Sequence, residues 1–250
     1  MEKTWVSQYL KILDKLFTDY AKEIGKQKVG IIASGGIDSS IIAVYVKKYF
    51  PNFLLITLHT KKGIDLPFLH LLAKNLNKKP IIIKTNKEEV NKIKKEIEQL
   101  LNNAQIEVNK MQIALASAFY FLLREAKKRK ITYIFTGQGP DILLAGYFKY
   151  KNLTQQNLKS TIIKDIPLLK IDEKRDGAIA KKWGVKLINP YLEKEFINVA
   201  LTIPSELLIN QKQEKYLSRL LGKEINLPEK IVNRPKKALQ YSTGIQKLIK

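Results

Sequence analysis

The sequence predicts an α/β fold, in which a parallel twisted sheet is flanked by helices and followed by a helical C-terminal extension. Up to about residue 150, short and almost fully apolar segments alternate with longer segments of helical periodicity. Strands that alternate with helices are typical of a parallel sheet covered on both faces. Beyond residue 150 only helical segments and loops are predicted, and no Gly/Ser-rich or Pro-rich linker precedes them. We therefore expect a single domain, 1–250, with an α/β core over 1–150 and a helical extension over 151–250.

The elements of this core follow from periodicity in chain order. An opening amphipathic helix is predicted over 5–26, where apolar residues recur at helical spacing. Four short apolar runs then predict four strands, and the segments between them predict helices. The strands are expected at 28–33, 53–58, 80–83 and 131–136, and the helices at 39–49, 65–76, 86–101 and 105–129.

The composition excludes several classes of site. The chain has no cysteine and two histidines, which rules out disulfides, zinc–thiolate sites and a cysteine nucleophile. Any metal is therefore expected to be a hard cation held by carboxylates and phosphates. No apolar run is long enough to span a bilayer, and no apolar signal sequence is found, so we expect a cytoplasmic protein without a membrane partner.

The formal net charge is +22, from 45 lysine and arginine residues against 23 acidic residues. Such a field attracts anionic partners, including nucleotides, RNA and acidic proteins. Most of this charge, however, is lysine spread along helices, and a cysteine-free chain rich in lysine and isoleucine is also typical of hot or AT-rich sources. Nucleic-acid binding is therefore one interpretation, but not the favoured one.

One loop combines the features of a phosphate-binding site. It follows the first predicted strand and opens a helix, where backbone N–H groups and the helix dipole attract anions. Its glycines allow a tight turn and a close approach to a ligand. The candidate phosphate-binding residues are Ser34, Gly35, Gly36, Asp38, Ser39 and Ser40. A carboxylate at Asp38 implies a cation between it and the phosphate, most economically Mg²⁺, although a plain helix N-cap is the alternative.

This run, Ser-Gly-Gly-Ile-Asp-Ser-Ser over 34–40, resembles the SGGxDS signature of the PP-loop ATP pyrophosphatases. The resemblance implies a fold of the adenine nucleotide alpha hydrolase-like (HUP) type. It also implies that ATP is split between its α and β phosphates while AMP is transferred to an oxygen of the substrate. The superfamily includes asparagine, argininosuccinate, GMP and NAD synthetases and tRNA-modifying enzymes, so this loop does not select a substrate.

A second segment, residues 136–150, resembles the SGEGxDExFGGYxxY segment of the asparagine synthetases. Further segments match in the order of that family: Arg175-Asp176, Gly184-Val185, Asn189-Pro190-Tyr191-Leu192, Lys215 within 214–219, and Arg234-Pro235-Lys236-Lys237. The resemblance covers nearly the whole chain. It implies an ATP-dependent amide ligase, in which a carboxylate, expected to be that of aspartate, is adenylated and then amidated by ammonia.

The resemblance also implies roles for basic and polar residues near the phosphates. Lys215, Lys236 and Gln138 are expected to be catalytic, and Gly137, Lys215 and Lys236 are expected to join the first loop in binding ATP and pyrophosphate. Positioned cations stabilise the charge that builds up on a leaving pyrophosphate. Without this context the two lysines would read as ordinary surface residues.

The metal and substrate sides are implied in the same way. Asp38 and Asp141, each at the end of a strand, are expected to share Mg²⁺, with a helix N-cap as the alternative role for Asp141. The substrate side is expected to comprise Asp65, Gln138, Asp141 and Tyr147. Tyr147 and Tyr150 lie three residues apart, on one helical face, and are compatible with the pocket wall or the core; the core is the expected place of Tyr150.

The chain departs from the family pattern at three points. Gln138 stands where the pattern has glutamate, and an amide cannot take up a proton at neutral pH. Gln138→Glu is therefore expected to raise amide formation if this position limits it. Ile142 and Leu143 make the following wall more apolar, and the cysteine nucleophile of a glutaminase domain is absent.

Three functions are therefore compatible with the sequence. The first is an asparagine-synthetase-like ligase using ATP, Mg²⁺ and a small-molecule substrate, with a separate glutaminase as a possible partner and ammonia source. The second is a PP-loop enzyme that adenylates a tRNA base, and the third is a non-catalytic nucleotide-binding homologue. A basic patch around the cleft would favour the second, and loss of the convergence of Asp38 with Asp141 would favour the third. A homo-oligomer is also expected.

Overall fold

A five-stranded parallel sheet organises the chain, in the order β3-β2-β1-β4-β5. The structure is a computed structural model that describes residues 1–211 and 213–249. The sheet strands are β1 (Val29–Ile32), β2 (Phe53–His59), β3 (Ile81–Lys84), β4 (Tyr133–Phe135) and β5 (Lys186–Ile188). β6 (Ile209–Asn210) and β7 (Gln213–Glu214) form a separate antiparallel pair. The predicted α/β class with a parallel sheet is confirmed.

Helices connect the strands and cover both faces of the sheet. They are α1 (Glu2–Ile24), α2 (Ile37–Tyr49), α3 (Leu66–Leu76), α4 (Lys87–Asn103), α5 (Lys110–Lys128), α6 (Pro140–Leu143), α7 (Gln155–Trp183), α8 (Lys194–Thr202), α9 (Ser205–Leu208), α10 (Tyr216–Glu224), α11 (Glu229–Val232) and α12 (Leu239–Ser242). Among the residues that the structure describes, none of these helices is both long and apolar enough to cross a membrane.

Each face of the sheet packs on its own apolar cluster, because successive strand residues point to opposite faces. Ile31 and Leu55 pack in the cluster that holds α1, α2 and α3. Ile56 and Ile134 pack in the other cluster, with α4 and α5. α7 contributes its first half to one cluster and its last turns to the other, and so extends past the edge of the sheet.

The strand order places a crevice between β1 and β4. From β1 the chain proceeds outwards to β2 on one side, and it later returns to add β4 on the other side of β1. The loops after β1 and β4 therefore diverge at the carboxyl ends of the strands, where open α/β sheets bind their ligands. These are the two loops whose sequences indicate phosphate binding.

The structure corrects the expectation that strands end near residue 150. β5 pairs in parallel with β4, with Ile188 opposite Phe135. Only three residues form this edge strand, and Lys186 is exposed, so no apolar run marks it in the sequence. The segment after residue 150 therefore contributes a strand to the central sheet as well as helices.

Candidate active site

A cleft of about 360 Å³ lies at the carboxyl ends of β1 and β4. The loops after the two strands form its floor, α5 and α7 form one wall, and residues 234–240 form part of the other. Its volume is within the range of small-molecule sites in proteins. The crevice predicted by the strand order is therefore a cavity lined by both candidate loops.

The first loop is held by hydrogen bonds between its own residues. Ser39 Oγ donates to the Gly36 carbonyl oxygen at 3.2 Å and accepts from Ser34 N at 3.3 Å, while Gly36 N donates to Ser34 Oγ at 3.2 Å. Gly35 has φ +69°, and a Cβ there would lie 2.5 Å from the Phe68 carbonyl carbon. This turn therefore requires glycine, both for its φ and for its packing against α3.

Not every residue of this loop faces the cleft. Ser34, Gly36, Asp38 and Ser39 line it, in agreement with the predicted phosphate contacts. Ser40 is fully buried and does not line the cleft, so its predicted contact with phosphate is not supported by its position. Residues at positions 39 and 40 point about 100° apart on a helix, which explains why adjacent serines differ.

The second loop packs directly on the first through Gly137. A Cβ at this position would lie 2.7 Å from Ser39 N and 3.0 Å from the Asp38 carbonyl carbon. A side chain would thus separate the two loops. Gly137 lines the cleft, and its lack of a side chain lets Asp38 and Asp141 approach each other.

Asp38, Asp141, Lys215 and Lys236 form a group that we call the lysine cluster. Lys215 Nζ donates to Asp38 Oδ2 and, at 2.5 Å, to Asp141 Oδ1. Lys236 Nζ lies 2.7 Å from Asp141 Oδ2. The two aspartates therefore converge, as predicted, but they converge on the ammonium group of a lysine that is 1% exposed. Two carboxylates and two ammonium groups leave the cluster formally neutral.

The two aspartates differ in their electrostatic surroundings. Burial raises the pKa of Asp141, but the two facing ammonium groups outweigh it and lower the pKa to about 2. Burial dominates at Asp38 and raises its pKa, because only Lys215 is bonded to it. Burial also opposes the charge on Lys215, yet the two carboxylates raise its pKa above the ordinary value. Lys215 is therefore a permanent cation in the cleft.

Lys215 reaches the two carboxylates through an unusual local geometry. Its backbone has φ 57°, in the left-handed region, directly before α10. Its side chain passes Gly146, where a Cβ would lie only 2.1 Å from Lys215 Cε and 2.8 Å from Asp141 Oδ1. A left-handed non-glycine residue is energetically costly and is concentrated at functional sites. Gly146 is thus the residue that makes room for the lysine.

Arg234 connects the wall formed by residues 234–240 to the first loop. Its Nη1 donates to the Ser34 carbonyl oxygen at 2.8 Å, its Nη2 pairs with Asp65, and its guanidinium lies 4.2 Å from the centre of the Phe68 ring. Asp65 is 1% exposed. Its carboxylate thus holds Arg234 and lies outside the cleft lining, so the predicted substrate-side role of Asp65 is not supported by its position.

A second polar group, the arginine cluster, comprises Gln112, Gln138, Asp172, Arg175 and Asp176. Arg175 Nε and Nη2 donate to the two oxygens of Asp176 at 2.7 and 3.0 Å. Arg175 Nη1 donates to Asp172 at 2.5 Å and to Gln112 Oε1 at 3.0 Å. Gln138 Nε2 donates to Asp176 Oδ2 at 2.5 Å. One guanidinium faces two carboxylates, so the formal charge of this cluster is −1.

This arginine cluster is largely withdrawn from solvent. Arg175 and Asp176 are each 1% exposed; Arg175, Asp172 and Gln138 line the cleft, and Asp176 lies behind them. Burial raises the pKa of Asp176, and the opposing effect of the guanidinium is smaller. Every nitrogen of Arg175 is used within the cluster, so this side chain supports the wall rather than presenting a free cation.

The family model for asparagine synthase matches residues 21–165 and 168–249. The chain belongs to the asparagine synthase family. The resemblance of the two loops to PP-loop ATP pyrophosphatases and asparagine synthetases is thereby confirmed.

Relatives in this asparagine synthase family are longer than the chain. A Methanocaldococcus jannaschii protein described as an asparagine synthetase of the glutamine-hydrolysing type is 31% identical, over 90% of this chain and 47% of that protein. The glutamine-hydrolysing asparagine synthetase B of Escherichia coli is 26% identical, over 86% of this chain and 41% of that protein. The chain thus spans less than half the length of these curated relatives.

Solved structures with a similar chain course include two synthetases of low sequence identity. An NMN synthetase from Francisella tularensis aligns with a TM-score of 0.48 at 16% identity, covering 98% of this chain and 78% of its own. The NH3-dependent NAD synthetase from Campylobacter jejuni aligns with a TM-score of 0.47 at 16% identity, covering 95% and 79%.

The cleft also contains residues to which the sequence assigns no role. Asp172 bonds to Arg175 and lines the cleft, as do Met111, Leu115 and Phe119 on α5. The apolar α5 residues are indistinguishable from core residues in the sequence, since they follow helical periodicity. The role of Asp172 could have been found from its spacing. It precedes Arg175 by three residues, which places both side chains on one face of a helix, where they can form an ion pair.

Tyr147 lines the cleft and Tyr150 does not. The Tyr147 ring lies 4.6 Å from Lys236 Nζ, and burial together with Asp141 raises the pKa of its hydroxyl. Tyr150 is fully buried and donates to Asp165. The expectation that Tyr150 belongs to the core is confirmed, while the place of Tyr147 agrees with a role in the pocket wall.

Proposed function

We propose that this chain adenylates a carboxylate with ATP, releases pyrophosphate, and then transfers the acyl group to ammonia. The observation that carries this proposal is the lysine cluster, which lies where two glycine-containing loops meet at the end of a parallel sheet. Family membership supports the same reaction, with aspartate as the carboxylate and asparagine as the product.

In the first step a substrate carboxylate oxygen attacks the α-phosphorus of ATP. A new P–O bond forms, the bond between the α-phosphorus and the bridging oxygen breaks, and pyrophosphate leaves with the bonding electrons. Lys215 and Lys236 stabilise the negative charge that develops on this leaving group. Backbone N–H groups at the start of α2, with Ser34 and Ser39, hold the phosphates.

In the second step ammonia attacks the acyl carbon of the adenylate. A C–N bond forms, AMP leaves with its carboxylate-derived oxygen, and one proton is released. The acyl-adenylate is hydrolysed by water, so the cleft must exclude water during the reaction. Arg234 holds the wall formed by residues 234–240 over the first loop, which supports this requirement.

The candidate metal residues fit a hard cation. Asp38 Oδ1 is buried and has no hydrogen-bond donor among the residues that the structure describes, so one carboxylate oxygen is open to a cation. No group of three or more acidic, histidine or cysteine residues in residues 1–211 and 213–249 is arranged to hold a metal alone. Mg²⁺ bound to Asp38 and Asp141 would therefore take its other ligands from phosphate and water, and it would supply charge neutralisation of the phosphates.

The two other functions draw less support. Lys215, Arg175 and Arg234 are paired with carboxylates, so the positive charge next to the cleft is largely compensated rather than arranged as a basic patch for RNA. The convergence of Asp38 with Asp141 argues against a non-catalytic homologue. The glutamine hydrolysis named for the relatives supports a glutaminase as the ammonia source.

The proposal is tested by measuring pyrophosphate release with ATP and Mg²⁺, with aspartate and ammonium each omitted in turn and tRNA as an alternative acceptor. Aspartate-dependent release, with asparagine formed when ammonium is present, is the expected result. Asp38→Ala should abolish it, whereas Asp19→Ala, an exposed aspartate on α1, should not. Release that depends on tRNA alone, or full activity in Asp38→Ala, would contradict the proposal.

A further inference from the structure

The side-chain nitrogen of Gln138 forms a hydrogen bond, whereas its side-chain oxygen has no donor among the described residues. Its Nε2 donates to Asp176, but its Oε1 is buried and has no donor among the residues that the structure describes. Asp176 is an acceptor when ionised, so chemistry fixes which end of the amide faces it. The carbonyl oxygen of the Gln138 amide is therefore the end that lacks a partner, in a residue that lines the cleft.

A buried acceptor without a donor is unfavourable, and native structures nearly always satisfy such atoms. The groups nearest to Gln138 within its cluster are already in use, because Arg175 bonds to Asp176, Asp172 and Gln112. The donor must therefore come from the cleft. The cluster has a formal charge of −1, which favours a donor on a cationic or basic nitrogen.

We propose that Asp176 fixes the amide of Gln138 so that Gln138 Oε1 accepts a hydrogen bond from an N–H of an amine in the cleft. This inference rests on the proposed function, in which two amines enter the site: the ammonia that attacks the adenylate and the α-ammonium group of an amino-acid substrate. Gln138 touches the amine, and Asp176 is a positioning residue that acts through Gln138.

The pair also reverses an expectation drawn from the sequence alone. The sequence alone predicts that Gln138→Glu raises amide formation if this position limits it, but the structure places Asp176 within hydrogen-bond distance of that side chain. The single substitution would bring two buried carboxylates into contact, and one of them would have to hold a proton. We therefore expect Gln138→Glu to lower amide formation. The double variant Gln138→Glu/Asp176→Asn restores one amide and one carboxylate in exchanged positions.

The first experiment tests the pair itself and does not depend on activity. The difference in Tm between Gln138→Glu and the unsubstituted protein should be about 5 °C larger at pH 8 than at pH 5. The reason is that the proton shared by the two carboxylates is lost as pH rises. The double variant should remove most of this difference. Equal Tm shifts at both pH values in Gln138→Glu would overturn the pairing of these two side chains.

The second experiment tests the role of the pair. Gln138→Met keeps the length of the side chain but removes the acceptor, and it should raise the KM for one amine about tenfold. Aspartate-dependent exchange of labelled pyrophosphate into ATP should continue, since it reports adenylation alone. Gln112→Met is the matched control, because it makes the same change elsewhere in the arginine cluster and should leave both KM values unchanged.

The two possible amines are distinguished by the KM that changes. A higher KM for ammonium in asparagine formation identifies the nucleophile, and a higher KM for aspartate in pyrophosphate exchange identifies the α-ammonium group. Unchanged KM values for both, or equal changes in Gln112→Met, would overturn the inference. Absence of exchange in the unsubstituted protein would instead contradict the proposed function, and the Tm experiment would still test the pair.

Discussion

In the lysine cluster two carboxylates face two ammonium groups, and in the arginine cluster two carboxylates and two glutamine amides surround one guanidinium. The lysine cluster is neutral and joins residues from both loops with Lys215 and Lys236 from later in the chain. The arginine cluster is formally −1 and is almost saturated with internal hydrogen bonds. Lysine ammonium groups can shift from a carboxylate to a phosphate, whereas a guanidinium bonded on every nitrogen is a fixed support. We therefore expect the lysine cluster to exchange partners when a ligand binds and the arginine cluster to keep its shape.

The largest expected effect is a loss of folding stability when the arginine cluster is disrupted. Arg175→Met leaves two carboxylates facing each other, one of them 1% exposed, and should lower the free energy of unfolding by about 3–5 kcal/mol. Urea denaturation measures this change. Arg129→Met removes an exposed pair with Glu125 and should cost less than about 1 kcal/mol. Equal losses in the two variants would show that the arginine cluster is not a fixed support.

The next effect is catalytic and belongs to the lysine cluster. Lys215→Met removes a cation expected to stabilise the leaving pyrophosphate, and it should lower the rate of pyrophosphate release by about 10²–10³-fold. Lys223→Met, on the exposed side of the same helix α10, is the matched control and should retain the rate. If Lys215→Met lost only asparagine formation and kept normal pyrophosphate exchange, Lys215 would act in the second half-reaction and the prediction would be wrong.

Gly146→Ala tests whether the position of the Lys215 ammonium group matters, because this substitution displaces the lysine side chain but keeps its charge. The added Cβ would lie 2.1 Å from Lys215 Cε, so the lysine must move, and pyrophosphate release should fall about tenfold or more. The control is Gly177→Ala, because a Cβ at Gly177 meets no atom within 4 Å. That change should leave activity intact and slightly stabilise α7. Normal activity in Gly146→Ala would mean that the observed geometry is not required.

The smallest effect concerns pH. Lys215 and Lys236 hold the pKa of Asp141 at about 2 in the folded protein, below its ordinary value of 3.8. A depressed carboxyl pKa stabilises the folded state above the unfolded pKa, and this contribution is lost as pH falls from about 4 to about 2. The free energy of unfolding should therefore decrease by at most about 2 kcal/mol over this range. Asp141→Asn should reduce this decrease, whereas the exposed Asp19→Asn should not. An unchanged slope in Asp141→Asn would show that the ion pairs are weak.

Much of this site could be predicted because its loops are local in sequence. The Ser-Gly-Gly-Ile-Asp-Ser-Ser run lies between a strand and a helix, and a strand end followed by Gly137 marks the second loop. Asp38 and Asp141 each follow a predicted strand of one parallel sheet, so the resemblance to the asparagine synthetases allowed their meeting to be anticipated. What the sequence could not show is that the cation between them belongs to Lys215, 177 positions from Asp38.

Long-range contacts account for the other differences. Asp65 and Ser40 satisfy the local pattern, but burial against Arg234 and within the core removes them from the cleft. Gln138 reads as a simple departure from glutamate until Asp176, 38 positions later, is seen beside it. β5 is too short for periodicity, and only its pairing with β4 reveals it. Each of these depends on side chains that meet through the fold.

The contacts of Arg234 bear on how the protein matures during synthesis. Arg234 bonds to Ser34, 200 positions earlier, and to Asp65, 169 positions earlier. β1, β2 and β3 can pair on the ribosome long before this arginine exists, because their contacts are close in sequence. The nascent sheet therefore precedes the finished loop, and neither Lys215 nor Lys236 has been added at that stage. A growing chain should consequently remain unable to split ATP until its last folding step has joined distant parts of the molecule.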